Sequence, residues 1–224
     1  MTPVAADRGT PGADARRVAP GCRPGISRRA SAKRCERGVT LLEVVLALAA
    51  TVTAGAMGIA STAAAIDEMR TAAAARYVAM RIGAIRIDAV RRATSVALRF
   101  EPADGDYMYA PYEDGNGNGV RTVEMRSGVD RPIGPFERLG SKFPGVRFEL
   151  ASEVPDADGS VGTGIDGVRI GSAHILTMGA DGTATSGTLY IRGRRGQYAV
   201  RVLGVTGRTR MLQYLPGERS WLSR

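Results

Sequence analysis

The side chains able to do chemistry fall into four groups. Asp114, Asn116, Asn118 and Gly119 spell the opening of a calcium loop, in which alternating short oxygen ligands surround a hard cation and the glycine allows a sharp turn. Such a loop closes with a bidentate glutamate at its twelfth place, which here is Met125, with Glu124 one residue early. The same Asp/Asn/Gly string is also a good strand-connecting turn. Arg192, Arg194, Arg195, Arg201, Arg208 and Arg210 crowd the last 33 residues with Tyr198 and Tyr214 in the same stretch and Tyr190 just before it, a composition suited to gripping phosphates. Arg208 and Arg210 are two apart, so on a strand both point to one face. The single histidine, His174, lies in the strand-like run SAHILTMG with no cysteine after the apolar segment, and reads as a structural or surface residue rather than a metal ligand. Glu43 is the only charge between Val39 and Ile66; a carboxylate near the start of an apolar run is costly in lipid and needs a partner.

No nucleophile motif, telling pair of carboxylates, Walker loop or dinucleotide fingerprint is present. The chain reads as non-enzymatic and calls for no cofactor.

Behind these residues stands an uneven distribution of charge. The 224 residues carry 31 Lys+Arg against 22 Asp+Glu, a net charge of +9, which taken whole suggests a polyanionic partner. Residues 1–38 hold +6 of it, through Arg8, Arg16, Arg17, Arg23, Arg28, Arg29, Lys33, Arg34 and Arg37 against Asp7, Asp14 and Glu36. Both cysteines, Cys22 and Cys35, lie in the same segment, so the remainder can form no intramolecular disulfide and must be held by packing. Residues 1–37 are rich in Pro, Gly, Ala, Ser and Arg without apolar periodicity, the profile of a disordered leader.

The run Val39–Ile66 is 28 residues long, longer than the apolar core of an ordinary signal peptide and long enough as a helix to cross a bilayer core of about 30 Å. Basic residues crowd its N-terminal flank while Asp67 and Glu68 begin the other, which places the N-terminus in the cytoplasm and the bulk of the chain outside. Ala-rich sequence without proline continues to Arg92, with Val78, Ile82, Ile85 and Ala89 on one face, so one helix is expected from Val39 to about Ala93. A break near Gly83 is the alternative.

Beyond Thr94 the period changes to two. Strands are expected over 96–100, 107–110, 120–125, 146–150, 168–178, 188–192, 198–203 and 209–214, divided by turns such as Asp181-Gly182 and Arg195-Gly196. The expected fold class is α+β: a long hydrophobic helix, transmembrane in its first half, followed by an antiparallel β-sandwich-like domain. The expected division is a leader at 1–38, a membrane or filament-core helix at 39–66, its soluble continuation at 67–93 and a β domain at 94–224.

Arg37-Gly38-Val39-Thr40-Leu41-Leu42-Glu43-Val44 resembles the processing motif of type IV prepilins and pseudopilins. That resemblance implies cleavage after Gly38 by a membrane aspartyl peptidase, methylation of the new N-terminus at Val39, and a role for Glu43 in recruiting and registering subunits. The amine so created on Val39, one helical turn from Glu43 and on a neighbouring subunit's path if helices stagger, would be the missing partner. Phenylalanine is usual after the cut, and Val39 departs from it while staying apolar. A plain signal anchor is the alternative for residues 39–66.

The segments IRIDAVRRATSVALRF, EDGNGNGVRT and TSGTLYIRGRRGQYAVRVLGVTGRTRM resemble, patchily over residues 37–213, the GspH/FimT branch of minor pseudopilins. It implies a structural subunit of a type II secretion system or type IV pilus-like filament, with other pilins, the prepilin peptidase and the inner membrane as partners. Gly207-Arg208-Thr209-Arg210 looks like the C-terminal element through which FimT-type minor pilins contact DNA in natural transformation, which makes Arg192, Arg194, Arg195, Arg208 and Arg210 candidate DNA-binding residues. The alternative is a solvated strand face.

Overall fold

The structure, a computed structural model, describes residues 38–157 and 164–224, with the side chains of 56–61 also outside the description. The expected leader, with Cys22 and Cys35, therefore lies outside the described residues apart from Gly38. Helix α1 runs unbroken from Leu41 to Arg92, through Gly83. Thr40 starts it: its hydroxyl and its carbonyl both accept the Glu43 N–H, at 3.3 and 3.0 Å. Ala93 ends it in the left-handed region at φ 51, where Thr94 N–H reaches back to the Ala89 carbonyl and Ala93 N–H to that of Val90, a Schellman closure built on alanine instead of the usual glycine.

Among the described residues, no helix is long and apolar enough to cross a membrane. The stretch expected to do so, 39–66, contains 56–61, so that expectation falls partly outside the described side chains.

The rest of the chain is antiparallel β structure with two short helices, which makes the class α+β. One sheet has the order β3 (Arg131–Pro132), β2 (Asp106–Glu113), β1 (Val96–Ala103), β7 (Ile175–Met178), with β4 (Glu137–Arg138) also on β2. The β1–β2 hairpin turns on Asp104-Gly105, both at positive φ, the backbone that suits the twist of a two-residue hairpin. The second sheet has the order β11 (Ser220–Ser223), β10 (Arg208–Leu215), β9 (Gln197–Leu203), β8 (Gly187–Arg192), β5 (Arg147–Phe148), with β6 (Val168–Arg169) also on β8.

One apolar core draws on the helix and on both sheets. Val78, Ile82, Ile85 and Ala89, the expected stripe, are all buried, and they share a cluster with Leu98, Phe100, Leu176, Met178, Leu189, Ile191, Val200 and Val202. A polar clasp lies at its edge: Glu137 accepts Tyr77 OH at 2.7 Å and pairs with Arg81 and Lys142. Burial would raise the Glu137 carboxyl, but the Tyr77 hydroxyl and these two cations outweigh it and hold it below the usual carboxylate range.

Two expected strands are corrected. Residues 120–125 do not form one: Thr122–Ser127 is helix α2, closed by Gly128 at φ 77. The strand preference of Val120, Thr122 and Val123 is overridden by tertiary context, because the loop leading into them is pinned at both ends by Asp130. The expected strand 168–178 is two strands in different sheets, reversed near Gly171 and His174, both at positive φ. The short β3, β4, helix α3 (Leu139–Lys142) and β11 were not foreseen; they have two to four residues each, too few for a period to register.

Candidate functional site

Gly38 and Val39 form an exposed, non-helical lead into α1, and a Cβ built on Gly38 meets nothing. Glu43 sits in the first helical turn, where a negative charge complements the helix dipole. Its side chain is exposed, as is every side chain from Leu41 to Gly55, and among the described residues its carboxylate has no ion-pair partner. Leu41, Leu42, Val44, Val45, Leu46, Leu48 and Val52 thus present apolar surface to solvent around that one charge, far more than a scatter of single surface hydrophobes.

The Asp114 loop is tied to itself. Asp114 Oδ1 accepts the N–H groups of Asn116 and Gly117 at 3.0 and 2.8 Å, and Oδ2 accepts that of Gly119 at 2.6 Å. The fully buried Asp130 accepts the N–H groups of Gly115 and Arg121, drawing the two ends together. Gly115 is required there, since a Cβ would stand 2.1 Å from the Val129 carbonyl oxygen. Burial works to raise the Asp114 carboxyl, and the backbone N–H groups of Asn116, Gly119 and Gly117 outweigh it, leaving the group below its ordinary value.

Within this loop Glu124, one place early for a calcium loop, is the residue that meets the asparagines: Oε1 accepts Asn118 and Asn116 Nδ2–H at 2.7 and 3.0 Å. Met125, at the twelfth place, turns inward instead, where its sulfur accepts an N–H from Arg99. Among the described residues no three His, Cys, Asp or Glu side chains are grouped as a metal would require.

The arginines that are neighbours in sequence are separated by the fold. Arg208 and Arg210 are exposed on the same face of β10, as the alternation predicts, and among the described residues neither pairs with a carboxylate. Strand pairing continues the Arg210 position across the sheet: Arg210 lies opposite Arg201, Arg201 opposite Thr188, and Thr188 opposite Arg169. Three arginines thus form one cross-strand row on the face away from the main core, with Arg169 held by Asp156 and stacked over Tyr190. No spacing in the chain reveals Arg169, which comes from a distant strand.

Arg192 is committed elsewhere, in an ion pair with Glu149 that Arg147 shares. Arg194 and Arg195 occupy the β8–β9 turn at the opposite end of the sheet from Arg208, which pairs with Leu203. From Gln197 to Leu203 the strand covers about 20 Å, so the five candidate DNA-binding arginines divide into two groups.

His174 stands edge-on to Tyr107 with its Nε2 3.6 Å from Asp166 Oδ2, while Tyr107 OH donates to Asp166 Oδ1 at 2.7 Å. Burial and that carboxylate push the Tyr107 hydroxyl above its ordinary range, which suits a fixed donor and not a base. Comparison with known protein families, curated proteins and solved structures finds no match to this chain.

Proposed function

We propose that the chain is a minor pseudopilin, a structural subunit of a type II secretion system or type IV pilus-like filament. It is anchored in the bacterial inner membrane through the first half of α1, with the N-terminus cytoplasmic and a β-sandwich-like domain outside. Its partners are other pilins and the prepilin peptidase, which cuts after Gly38 and methylates Val39. The observation that carries this reading is Glu43, a lone exposed carboxylate in the first turn of a helix whose surrounding side chains are exposed and apolar. Such a surface calls for a covering of lipid or other helices, and the carboxylate within it calls for a cation, which the amine of a processed neighbour supplies.

The direct test is co-expression with a prepilin peptidase. The wild-type chain is expected to lose about 38 residues, seen as a size shift and as an N-terminus at Val39 by mass spectrometry. Gly38→Ala is expected to abolish the shift; processing that ignores this substitution counts against the assignment.

A second reading, DNA contact by a FimT-type minor pilin, is favoured by the exposure of Arg208 and Arg210 on one face without carboxylate partners. The full chain in detergent is expected to retard duplex DNA in a salt-dependent way, and Arg208→Gln/Arg210→Gln to lower the log–log salt slope by about 2. Retardation with an unchanged slope would remove this reading and leave the first intact.

A further inference from the structure

The β8–β9 turn is built into the base of the domain. Arg195 N–H donates to Asp67 Oδ2 at 2.9 Å, and a Cβ on Gly193 would stand 2.0 Å from Thr71 Oγ1, so the turn is pressed backbone-first against α1. Arg195, Gly196, Leu215 and Pro216 line a groove together with Ala64 and Ala65, at the end of the apolar stretch. While the backbone is fixed, the side chains of Arg194 and Arg195 are exposed, with exposed Arg219 beside them in an adjoining pocket. Among the described residues none of the three pairs with a carboxylate. The neighbouring acids accept from other groups: Glu68 from Gln213, Glu153 from Ser152 and Glu218 from Ser220.

Position gives these arginines a partner. From Ala47 to Ile66 helix α1 has 20 residues and rises about 30 Å, the thickness of a bilayer's hydrocarbon core. With that stretch in the hydrocarbon core, Asp67 reaches the outer headgroups and brings the β8–β9 turn with it. The far end of the domain is well clear: Arg86, which donates to the Gly182 carbonyl and abuts Gly207, is 19 residues beyond Asp67, about 28 Å along the helix.

We propose that Arg194 and Arg195, assisted by Arg219, bind the phosphates of anionic phospholipids and so hold the domain at a set height over the membrane until the subunit is extracted into a filament. Guanidinium groups suit this task because their planar fork meets two phosphate oxygens at once. The assignment rests on the membrane-anchored reading above, and it gives the arginines of this turn a different ligand from those of β10.

The test uses the full chain reconstituted in vesicles, with Cys22→Ser/Cys35→Ser and a spin label on Gly217→Cys, a position where a Cβ meets nothing. A paramagnetic metal chelated on the lipid headgroup reports proximity. Relaxation of the label is expected to be several-fold stronger in phosphatidylglycerol-containing vesicles than in phosphatidylcholine alone, and Arg194→Gln/Arg195→Gln is expected to erase the difference. A label on Val205→Cys, in the far loop, is expected to remain unrelaxed in both. Equal relaxation in the two lipids, or a difference that survives the double substitution, overturns the proposal while the chain still floats with the vesicles. A chain that does not float overturns the membrane reading itself. Retardation of a DNA duplex that is lost in Arg194→Gln/Arg195→Gln and kept in Arg208→Gln/Arg210→Gln would assign the turn to nucleic acid and likewise overturn the lipid assignment.

Discussion

Glu43→Ala is expected to be processed and folded like the wild type and to be missing from filaments. The carboxylate is exposed and unpaired among the described residues, so its removal takes no bond away from the β domain; an exposed substitution of this kind moves stability by no more than about 0.5 kcal/mol. A slight fraying of the first turn follows from the loss of a negative charge at the positive end of the helix dipole.

Within an assembled bundle the balance is different. In the filament proposed above, neighbouring helices would remove water from around Glu43, and its carboxylate would then need a buried cation; breaking one such pair costs about 3–5 kcal/mol. On that proposal, alanine would leave the amine of the adjoining subunit uncompensated. The measurement is the share of the chain in a sheared filament fraction against the total, with thermal unfolding as the control for folding. Glu43→Gln separates charge from size and is expected to fail like alanine. Either variant present in filaments at the wild-type level would sink the role given to Glu43.

Asp114→Ala is expected to destabilise the β domain strongly while leaving its apolar core intact. Three backbone N–H groups lose a charged acceptor in a largely buried setting, where each such bond is worth about 1.5–3 kcal/mol and a stranded donor costs comparably. Part of this is recovered by water, because Asn116, Gly117 and Gly119 are near the surface, so a net loss of about 3 kcal/mol is expected. For a domain of this size that lowers Tm by about 6–12 °C.

The pH dependence has a definite sign. The folded Asp114 carboxyl lies below its ordinary value, so its contribution is fully present above about pH 4, the unfolded value, and is lost as pH falls through the folded one. Thermal unfolding followed from pH 7 downward is expected to show the wild type losing an increment below about pH 4 that Asp114→Ala lacks. Parallel curves for the two proteins would show that the loop draws no stability from the ionised carboxylate.

What could be read in the chain was whatever depends on neighbours along it. The helical stripe Val78, Ile82, Ile85 and Ala89, the turn at Arg195-Gly196 and the alternation of Arg208 with Arg210 are local periodicities or turn chemistries, and the backbone realises each of them. The strand expected over 120–125 failed because strand-favouring valine and threonine side chains follow a loop closed by Asp130, fifteen residues from its partner Gly115, after which the chain turns into a helix. The split of 168–178 between two sheets has the same cause, since which sheet a strand joins depends on its hydrogen-bonding partners and not on its own residues.

The opening group of residues divides along the same line. The chain alone marked Gly38, Val39 and Glu43, because a motif of consecutive residues carries its chemistry in its spacing. It likewise marked the C-terminal arginines as a set, by composition. Only the tertiary structure resolved that set into a β10 face with Arg201 and Arg169 in its row and a basic turn held against Asp67 and Thr71. Composition counts charges along a chain, whereas the antiparallel return of β9 and β10 decides which of them end up side by side and which about 20 Å apart.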